Sequence, residues 1–306
     1  MRALKILLGA LLIWPVQAFA QGDLLESRES LYNNIFVYER GDLVIMQFGK
    51  NSRFWTESVY DRSDPRALPV TYTRFLTIAL AYPEVVNSLL EIGLGGGRTA
   101  AYVNLHMPDL KIHSVELDPD VVELAKRYFD LKPNDNFNIS ERDGRIHLVR
   151  EKTRHDVIMV DAYRGPFVPF HMLTREFYMT AKRRLSDRGV IAQNIEPTTM
   201  LFDSAVATLS SVFDNVDLYP ASGNVVAVAY DGDPISAETL EQRAASLQEK
   251  HDFKYALPDL LRKRRILTSA PQQEPLVDDF APVEMLKSVE RHNQSIDAIS
   301  QSADDR

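Results

Sequence analysis

The chain of 306 residues carries a formal net charge of −8, with 45% hydrophobic and 25% charged residues, which excludes a disordered or fibrous protein. This acidic balance disfavours nucleic acid as a partner, because the phosphate backbone is bound through basic surfaces. The chain contains no cysteine, which excludes disulfides, thiolate catalysis and cysteine-based metal sites.

The first twenty residues have the pattern of a secretory signal peptide. Arg2 and Lys5 precede an apolar run over residues 6–14, and Ala18-Phe19-Ala20 forms an A-x-A cleavage site. The run is too short to favour a permanent membrane span, and the alternatives are an uncleaved anchor or a chance amphipathic start. We therefore expect an exported protein, periplasmic in a bacterium, with no membrane attachment once residues 1–20 are removed.

Residues 21–66 are predicted to form a small N-terminal subdomain of β-strands. Apolar and β-branched runs at residues 35–38 and 43–48 flank a hairpin signal at residues 39–42, and a third strand is expected near residues 54–59. Three strands are too few for an independent domain, so we expect this sheet to pack on the domain that follows.

Residues 67–290 alternate strand and helix patterns, which predicts an α/β domain with a mostly parallel sheet, Rossmann-like and of the class I methyltransferase type. Residues 234–265 are expected to add helix, and residues 291–306 to form a disordered tail. The predicted strands are residues 88–92, 111–116, 137–141, 157–161, 189–194, 215–219 and 224–230. The predicted helices are residues 99–104, 119–128, 144–149, 174–185 and 199–212.

A glycine-rich turn follows the first of these strands, in the segment LLEIGLGGGRTA. Gly93, Gly95 and Gly96 allow a tight turn and a close approach of a ligand at the strand end. The turn lacks the Lys-Ser/Thr ending of a P-loop, and Arg98 occupies the third glycine position of a dinucleotide motif read from Gly93. The pattern therefore favours an S-adenosylmethionine-type ligand over NAD.

The next two strands end in acidic residues that fit a nucleoside. Glu116 lies where a carboxylate accepts hydrogen bonds from ribose hydroxyls. Asp143 and Gly144 follow the third strand, where an acid or its neighbouring backbone meets the adenine amino group. Each residue alone is better explained as a helix cap or a surface acid, but together and in this order they favour a nucleoside site.

The histidines give no prediction of a metal site. The chain has 7 histidines, and none of them forms an H-x-x-x-H or H-E-x-x-H pattern. We therefore expect no metal. His147 is expected on a helix, where a packing role is usual.

These motifs together resemble the spermidine synthase (polyamine aminopropyltransferase) family, from about residue 30 to residue 284. The segments EIGLGGG, VELDP, RDGRIHL, HDVIMVDA and LTREFY occur in family order, and DDFAPVE follows at residues 278–284. The chain is most similar to the divergent spermidine-synthase-like branch. The resemblance implies that the nucleoside contacts Gly93, Gly95 and Glu116, that adenine contacts Asp143, and that Asp161 lines the site below it.

The resemblance also implies a co-substrate, S-adenosylmethionine or its decarboxylated form, and a small-molecule acceptor. The chain departs from the family at three acidic positions. Gly96 replaces an aspartate of the glycine loop, Arg164 replaces the second aspartate of the catalytic loop, and Arg74 replaces the glutamate that follows the tyrosine aligned with Tyr72. Arginine neither attracts a diamine nor accepts its proton, so these changes suit an anionic acceptor.

Alternatively, Arg164 and Arg74 pair with neighbouring acids such as Glu116, Asp161 or Glu176 and contact no ligand. The candidate catalytic residues are Asp161, Arg164 and Tyr72. The candidate acceptor-binding residues are Tyr72, Arg74, Tyr163, Arg164 and His171, and His171 is close enough in sequence to the catalytic loop to act as a base.

Three hypotheses for function follow. The first is a transferase that moves an aminopropyl or a methyl group to an unidentified acceptor. The second is a non-catalytic, exported nucleoside-binding protein that has lost the amine-binding carboxylates. The third is an aminopropyltransferase whose base is Asp161, Tyr72 or His171. A homodimer is compatible with each of them.

Overall fold

The computed structural model describes residues 22–50, 53–165, 167–267 and 271–279. The predicted signal peptide, residues 1–20, and the predicted tail, residues 291–306, lie outside these ranges, as do residues 280–284 of the DDFAPVE segment. Within the described ranges, no helix is long and apolar enough to cross a membrane.

The N-terminal sheet has four antiparallel strands within the described residues, in the order β1-β2-β3-β4. They are β1 Asp23–Glu29, β2 Asn34–Arg40, β3 Leu43–Lys50 and β4 Arg53–Asp61. The expectation of three strands was wrong, because β1 has the sequence DLLESRE. Its charged residues hide the alternation that identifies a strand, and this composition is tolerated at a sheet edge.

The large sheet combines parallel and antiparallel strands, in the order β12-β10-β11-β9-β8-β5-β6-β7 over the described part of the chain. Strands β5 to β9 pair in parallel, and β10, β11 and β12 add antiparallel pairs at one side. Its strands are β5 Ser88–Ile92, β6 Lys111–Glu116, β7 Phe137–Glu141, β8 His155–Val160, β9 Leu185–Ile195, β10 Asn215–Ala221, β11 Asn224–Tyr230 and β12 Arg265–Ile266.

Helices connect these strands and cover both faces of the sheet, which confirms the predicted α/β class. They are α1 Thr71–Leu76, α2 Arg98–His106, α3 Pro119–Tyr128, α4 Gly144–Arg150, α5 Arg175–Lys182, α6 Phe202–Ser210, α7 Ala237–His251 and α8 Leu257–Leu261. Short 3-10 helices span Thr77–Ala81 and Phe170–Met172. The predicted helical region over residues 234–265 is divided, because Asp252 adopts a left-handed conformation with φ 47° at the end of α7.

The two sheets are joined by an apolar contact. Ile35 and Val44 of the N-terminal sheet pack against Val121 and Leu124 of α3, together with Phe129. All five residues are fully buried, with 0% exposure, so burial of apolar area holds the small sheet on the large domain. This packing places β4 next to the glycine turn that follows β5.

The order of the strands in the sheet reverses at β5, because β6 lies on one side of β5 and β8 lies on the other. In open α/β sheets, ligands bind at the carboxyl ends of strands at such a point. Gly93, with φ 90°, fits here because a Cβ atom would collide with the carbonyl oxygen of Asp161 at the end of β8. The glycine thus allows the ends of β5 and β8 to approach closely.

Candidate active site

A cavity of about 400 Å³ lies at the carboxyl ends of β5, β6 and β8, and residues of β4 and α1 also line it. This volume is in the range of small-molecule sites. The structure brings together at this cavity most of the predicted site residues. Those that line it are Tyr72, Gly93, Gly95, Glu116, Asp143, Gly144, Asp161, Tyr163, Arg164 and His171.

The glycine turn and the end of β6 are tied together by Glu116. Its Oε2 accepts a hydrogen bond from the Leu94 N–H at 2.9 Å, and its Oε1 accepts one from the Asp118 N–H at 3.0 Å. Burial raises the pKa of Glu116, and the backbone N–H donors oppose that rise. The turn therefore fixes the carboxylate at the cavity wall, in the position predicted for ribose recognition.

Gly96 has a different position from the one predicted. It does not line the cavity, and its N–H donates to Ser58 Oγ of β4 at 2.8 Å. A Cβ atom at this position would lie 2.7 Å from the Phe129 ring and 2.8 Å from Ser58 Cβ. Close packing on the N-terminal sheet therefore accounts for the glycine at this position.

Asp143 and His171 form the opposite wall of the cavity. Asp143 Oδ1 caps α4 by accepting the Ile146 N–H at 2.8 Å, and its Oδ2 lies 3.3 Å from His171 Nε2. A hydrogen bond from His171 is the main reason that the pKa of Asp143 is lowered. His171 is thus held by Asp143, and its side chain is exposed.

Asp161 is oriented by amide side chains from the neighbouring strands. Its Oδ1 accepts a hydrogen bond from Asn194 Nδ2 of β9 at 2.9 Å. The Asn194 Oδ1 in turn accepts one from Asn224 Nδ2 of β11, also at 2.9 Å. Burial raises the pKa of Asp161 to about 6, while hydrogen bonds from Asn194 and Tyr72 oppose the rise.

Glu57, which the sequence motifs do not single out, lines the cavity from β4. Its Oε1 is buried and has no hydrogen-bond partner among the described residues. Burial raises the pKa of Glu57 well above its usual value, and the charges of Asp161 and Glu116 raise it further. The alternation in β4 was the available signal, since Glu57 has the same phase as the half-buried Trp55 and Val59.

Glu57, Tyr72, Asp161 and Tyr163 form what we call the carboxylate-tyrosine cluster. The charges of Asp161 and Glu57 add to burial in raising the pKa of both tyrosines. Asn224 opposes the rise in the pKa of Tyr163 through a side-chain hydrogen bond. The cluster therefore presents two carboxyl groups, of which Glu57 Oε1 has no hydrogen-bond partner among the described residues.

Glu91 adds another carboxyl group to the cavity wall. It is 3% exposed, and its Oε2 accepts a hydrogen bond from the Ser114 hydroxyl at 2.6 Å. Burial raises the pKa of Glu91 to about 8, with smaller contributions from the charges of Asp161 and Glu116.

The two arginines that replace family acids occupy different environments. Arg164 is exposed at the cavity wall and makes no ion pair with another described residue. Arg74 does not line the cavity, and its Nε donates to the Leu68 carbonyl at 2.6 Å. Its guanidinium also lies 6.0 Å from the centre of the Tyr255 ring. Arg74 therefore contacts Leu68 and Tyr255 and does not reach the cavity.

A third arginine, Arg98, also lines the cavity. Its guanidinium donates to the carbonyls of Phe129 at 2.9 Å and Pro65 at 2.6 Å, and it stacks 4.4 Å from the Tyr60 ring centre. Its two terminal nitrogens therefore donate to the protein backbone, while its buried Nε has no hydrogen-bond partner among the described residues. Carboxyl groups therefore dominate the charged surface that remains available to a ligand.

An α/β sheet with a glycine turn after its first parallel strand and an acid after its second defines a nucleoside-binding protein of the methyltransferase type. Residues 78–222 match the model of the spermine/spermidine synthase domain. Over 294 residues the chain is 30% identical to a polyamine aminopropyltransferase of Vibrio vulnificus, covering 92% of this chain and 98% of the relative. The chain belongs to the spermidine synthase (polyamine aminopropyltransferase) family, as its motifs predict.

Solved structures show the same fold. A probable spermidine synthase from Corynebacterium glutamicum matches with a TM-score of 0.64 and 18% identity, covering 83% of this chain and 98% of that one. Human methyltransferase-like protein 13 in complex with SAH matches with a TM-score of 0.55 and 22% identity, covering 70% and 99%. These two likenesses show the fold, and membership of the spermidine synthase family shows that the chain is a transferase.

Proposed function

We propose that the chain transfers the aminopropyl group of decarboxylated S-adenosylmethionine to an amine acceptor. The observation that carries this proposal is the set of carboxyl groups at the cavity wall, Glu57, Glu91, Glu116 and Asp161. The aminopropyl tail and the acceptor are both cations at neutral pH. Asp161, which is ionised at neutral pH, and Glu57, which loses its proton when a cation binds, attract such groups in a poorly hydrated cavity and repel the carboxylate of S-adenosylmethionine itself.

The nucleoside part of the co-substrate has partners along the same wall. Gly93 and Gly95 let it approach the backbone, Glu116 accepts from its ribose hydroxyls, and Asp143 meets the adenine amino group. SAH is bound by human methyltransferase-like protein 13, which has the same fold. That likeness supports an adenosyl ligand in this cavity.

The reaction is a direct displacement. The acceptor nitrogen attacks the aminopropyl carbon that is bonded to the sulfonium sulfur. The bond between that carbon and sulfur breaks, and its electron pair stays on sulfur to give methylthioadenosine. Asp161 accepts the proton that the acceptor nitrogen loses. Its pKa of about 6 leaves Asp161 ionised at neutral pH and makes it a stronger base than an ordinary aspartate.

Alignment of the two substrates supplies the rest of the catalysis. Asn194 holds the Asp161 carboxylate in one orientation through its 2.9 Å hydrogen bond. Glu57 approaches the same space from the other sheet and stabilises the cationic groups of both the co-substrate and the acceptor. The carboxylate that the family takes from its catalytic loop is thus replaced here by one from β4.

A second candidate function is methyl transfer from S-adenosylmethionine. The exposed guanidinium of Arg164, which makes no ion pair in the described part of the chain, favours it. Such a group suits the carboxylate of the methionine moiety or an anionic acceptor. In this alternative the carboxylate-tyrosine cluster would bind the group that receives the methyl.

Calorimetric titration of the full chain with both forms of the co-substrate and with methylthioadenosine tests the proposal. We expect the decarboxylated form to bind at least about tenfold more tightly than S-adenosylmethionine, a difference of about 1.4 kcal/mol. Tighter binding of S-adenosylmethionine would favour methyl transfer. Failure of all three ligands to bind would contradict both functions.

Export is a separate part of the proposal, since it rests on residues 1–20 alone. Expression of the full chain in a bacterium, followed by fractionation and N-terminal sequencing, tests it. We expect a periplasmic protein that begins at Gln21. A cytoplasmic protein that retains Met1 would contradict export without affecting the proposed reaction.

A further inference from the structure

A second group of ionisable side chains lies away from the cavity, at the opposite edge of the large sheet. His155 is the first residue of β8, and His113 lies near the start of β6. His147 and Glu151 come from the end of α4 and the position just after it. Because the cavity lies at the carboxyl ends of these strands, the group at their amino ends is a separate site. None of the four residues lines the cavity.

Glu151 is the centre of this group. His147 Nε2 lies 2.6 Å from Glu151 Oε2, and His155 Nε2 lies 3.3 Å from the same oxygen. His113 Nδ1 lies 3.8 Å from the other oxygen, Oε1. One ligand atom each from His113, His147 and Glu151 all lie within 4.8 Å of one another. Three imidazole nitrogens therefore converge on one carboxylate.

The group is largely shielded from solvent. His147 and His155 are each 4% exposed, and the Nδ1 atom of each has no hydrogen-bond partner among the described residues. The side chains of Glu151 and His113 are 13% and 26% exposed. A small cation can therefore reach the carboxylate from the His113 side, while the two buried rings form the floor of the site.

The second nitrogen of His113 is already engaged. Its Nε2 lies 2.9 Å from Ser140 Oγ of β7. When Nε2 carries the proton and donates it to Ser140, the lone pair of Nδ1 faces Glu151. Metal-binding histidines commonly donate their second ring N–H to an oxygen in this way, which fixes the ring and its tautomer.

We propose that His113, His147 and Glu151 bind a divalent transition-metal cation, of which Zn²⁺ matches best. Two imidazole nitrogens and one carboxylate oxygen provide three of the four ligands of a tetrahedral zinc site, with bonds of about 2.0–2.2 Å, and leave the fourth position to water. Mg²⁺ and Ca²⁺ prefer oxygen ligands and do not suit this set. His155, whose Nε2 lies 3.3 Å from Glu151 Oε2, orients the carboxylate from the start of β8.

Local His-x-x-x-His spacing does not indicate the proposed site for a specific reason. Glu151 separates the two histidines, so the sequence has the pattern H-x-x-x-E-x-x-x-H from His147 to His155. The pattern runs past the end of α4 into the start of β8, and His113 comes from another strand. Sheet pairing, which the local pattern does not report, brings these residues together.

Metal binding by the full chain tests the proposal. The protein is stripped with EDTA, dialysed against Co²⁺ or Zn²⁺, and analysed for bound metal and for the visible absorption of tetrahedral Co²⁺. We expect about one ion per chain, an intense visible Co²⁺ band and a higher Tm with metal. Glu151→Gln and His147→Gln should each weaken binding at least about tenfold.

Two further variants make the result decisive. His251→Gln changes a half-buried histidine outside the site and should bind metal like the unmodified chain. His113→Gln changes the most exposed ligand and should weaken binding at least about tenfold even if the buried variants fail to fold. Less than stoichiometric metal after dialysis, or His113→Gln binding as tightly as the unmodified chain, would overturn the proposal. The readout is independent of catalytic activity.

Discussion

Glu57 and Asp161 face one cavity from two different sheets, and the charge of Asp161 raises the pKa of Glu57. Burial is the larger cause, and it raises the pKa of both carboxyl groups. Two carboxylates in a shielded space repel each other unless a proton or another cation lies between them. The pair is therefore suited to exchange a bound proton for a cationic substrate.

The first prediction concerns this exchange. Binding of decarboxylated S-adenosylmethionine should release protons near neutral pH, because a bound cation lowers the pKa of Glu57. Glu57→Gln should release fewer protons and bind at least about tenfold more weakly. Calorimetry in two buffers of different ionisation enthalpy measures both quantities. Equal proton release by the variant and the unmodified chain would show that Glu57 is not the responsible group.

The second prediction concerns the pH dependence of turnover. Because Asp161 must be ionised to accept a proton, kcat/KM should rise with pH and level off above its pKa of about 6. Asp161→Asn should lower kcat by about 100-fold or more. Asn194→Ala should shift the midpoint of this pH profile to higher pH, since it removes a hydrogen bond that lowers the pKa of Asp161. A rate that does not change between about pH 5 and pH 7 would exclude Asp161 as the base.

The third prediction concerns stability and Glu91. Its pKa is raised from 4.5 to about 8 in the folded protein, so between these values the folded state binds more protons than the unfolded state. The contribution of Glu91 to the free energy of unfolding is thus present at low pH and is lost as pH rises toward 8. Glu91→Gln should reduce the fall in stability between about pH 5 and pH 7.5, measured by urea unfolding. An identical slope in the variant would contradict burial as the cause.

The fourth prediction concerns the contact between the two sheets at Ser58. Ser58→Ala leaves the buried Gly96 N–H without its acceptor, which should lower the free energy of unfolding by about 1–3 kcal/mol. Nucleoside affinity should fall as well, because the glycine turn loses its support. Ser63→Ala, at an exposed serine near the end of β4, is the control and should change stability by less than about 0.5 kcal/mol. Equal stability of the two variants would argue against this role of Ser58.

The fifth prediction separates the two candidate functions at Arg164. If aminopropyl transfer is correct, Arg164→Ala should change affinity for the decarboxylated co-substrate by less than about fivefold, because an exposed charge contributes little. If methyl transfer is correct, the same variant should bind S-adenosylmethionine at least about tenfold more weakly. Parallel titrations with both ligands distinguish these outcomes.

Local sequence patterns predicted much of the fold and of the nucleoside wall. The bounds of β5, β6, β7 and β11 agree with their predicted ranges, because each is a short segment in which apolar residues recur between turn residues. The positions of Glu116 and Asp143 at strand ends followed from those bounds. Residues that directly follow parallel strands meet at the carboxyl edge of the sheet, so these positions could be predicted from the strand bounds alone.

The acceptor side depended on contacts between distant segments. Glu57 reaches the cavity because the N-terminal sheet packs on α3, and no local pattern specifies that packing. Arg74 has the spacing of a family acid, yet its hydrogen bond to Leu68 directs it elsewhere. The prediction of an anionic acceptor rested on Arg164 and Arg74. It did not include Glu57, the carboxyl group that β4 places at the cavity wall.

The most direct test of the proposed reaction is product analysis by mass spectrometry. The full chain is incubated with decarboxylated S-adenosylmethionine and putrescine, with S-adenosylmethionine and putrescine in a parallel reaction. We expect methylthioadenosine and an aminopropylated diamine in equal amounts, in the first reaction only. Binding of the decarboxylated co-substrate without any aminopropylated product, or methylated product from the parallel reaction, would contradict aminopropyl transfer to this amine.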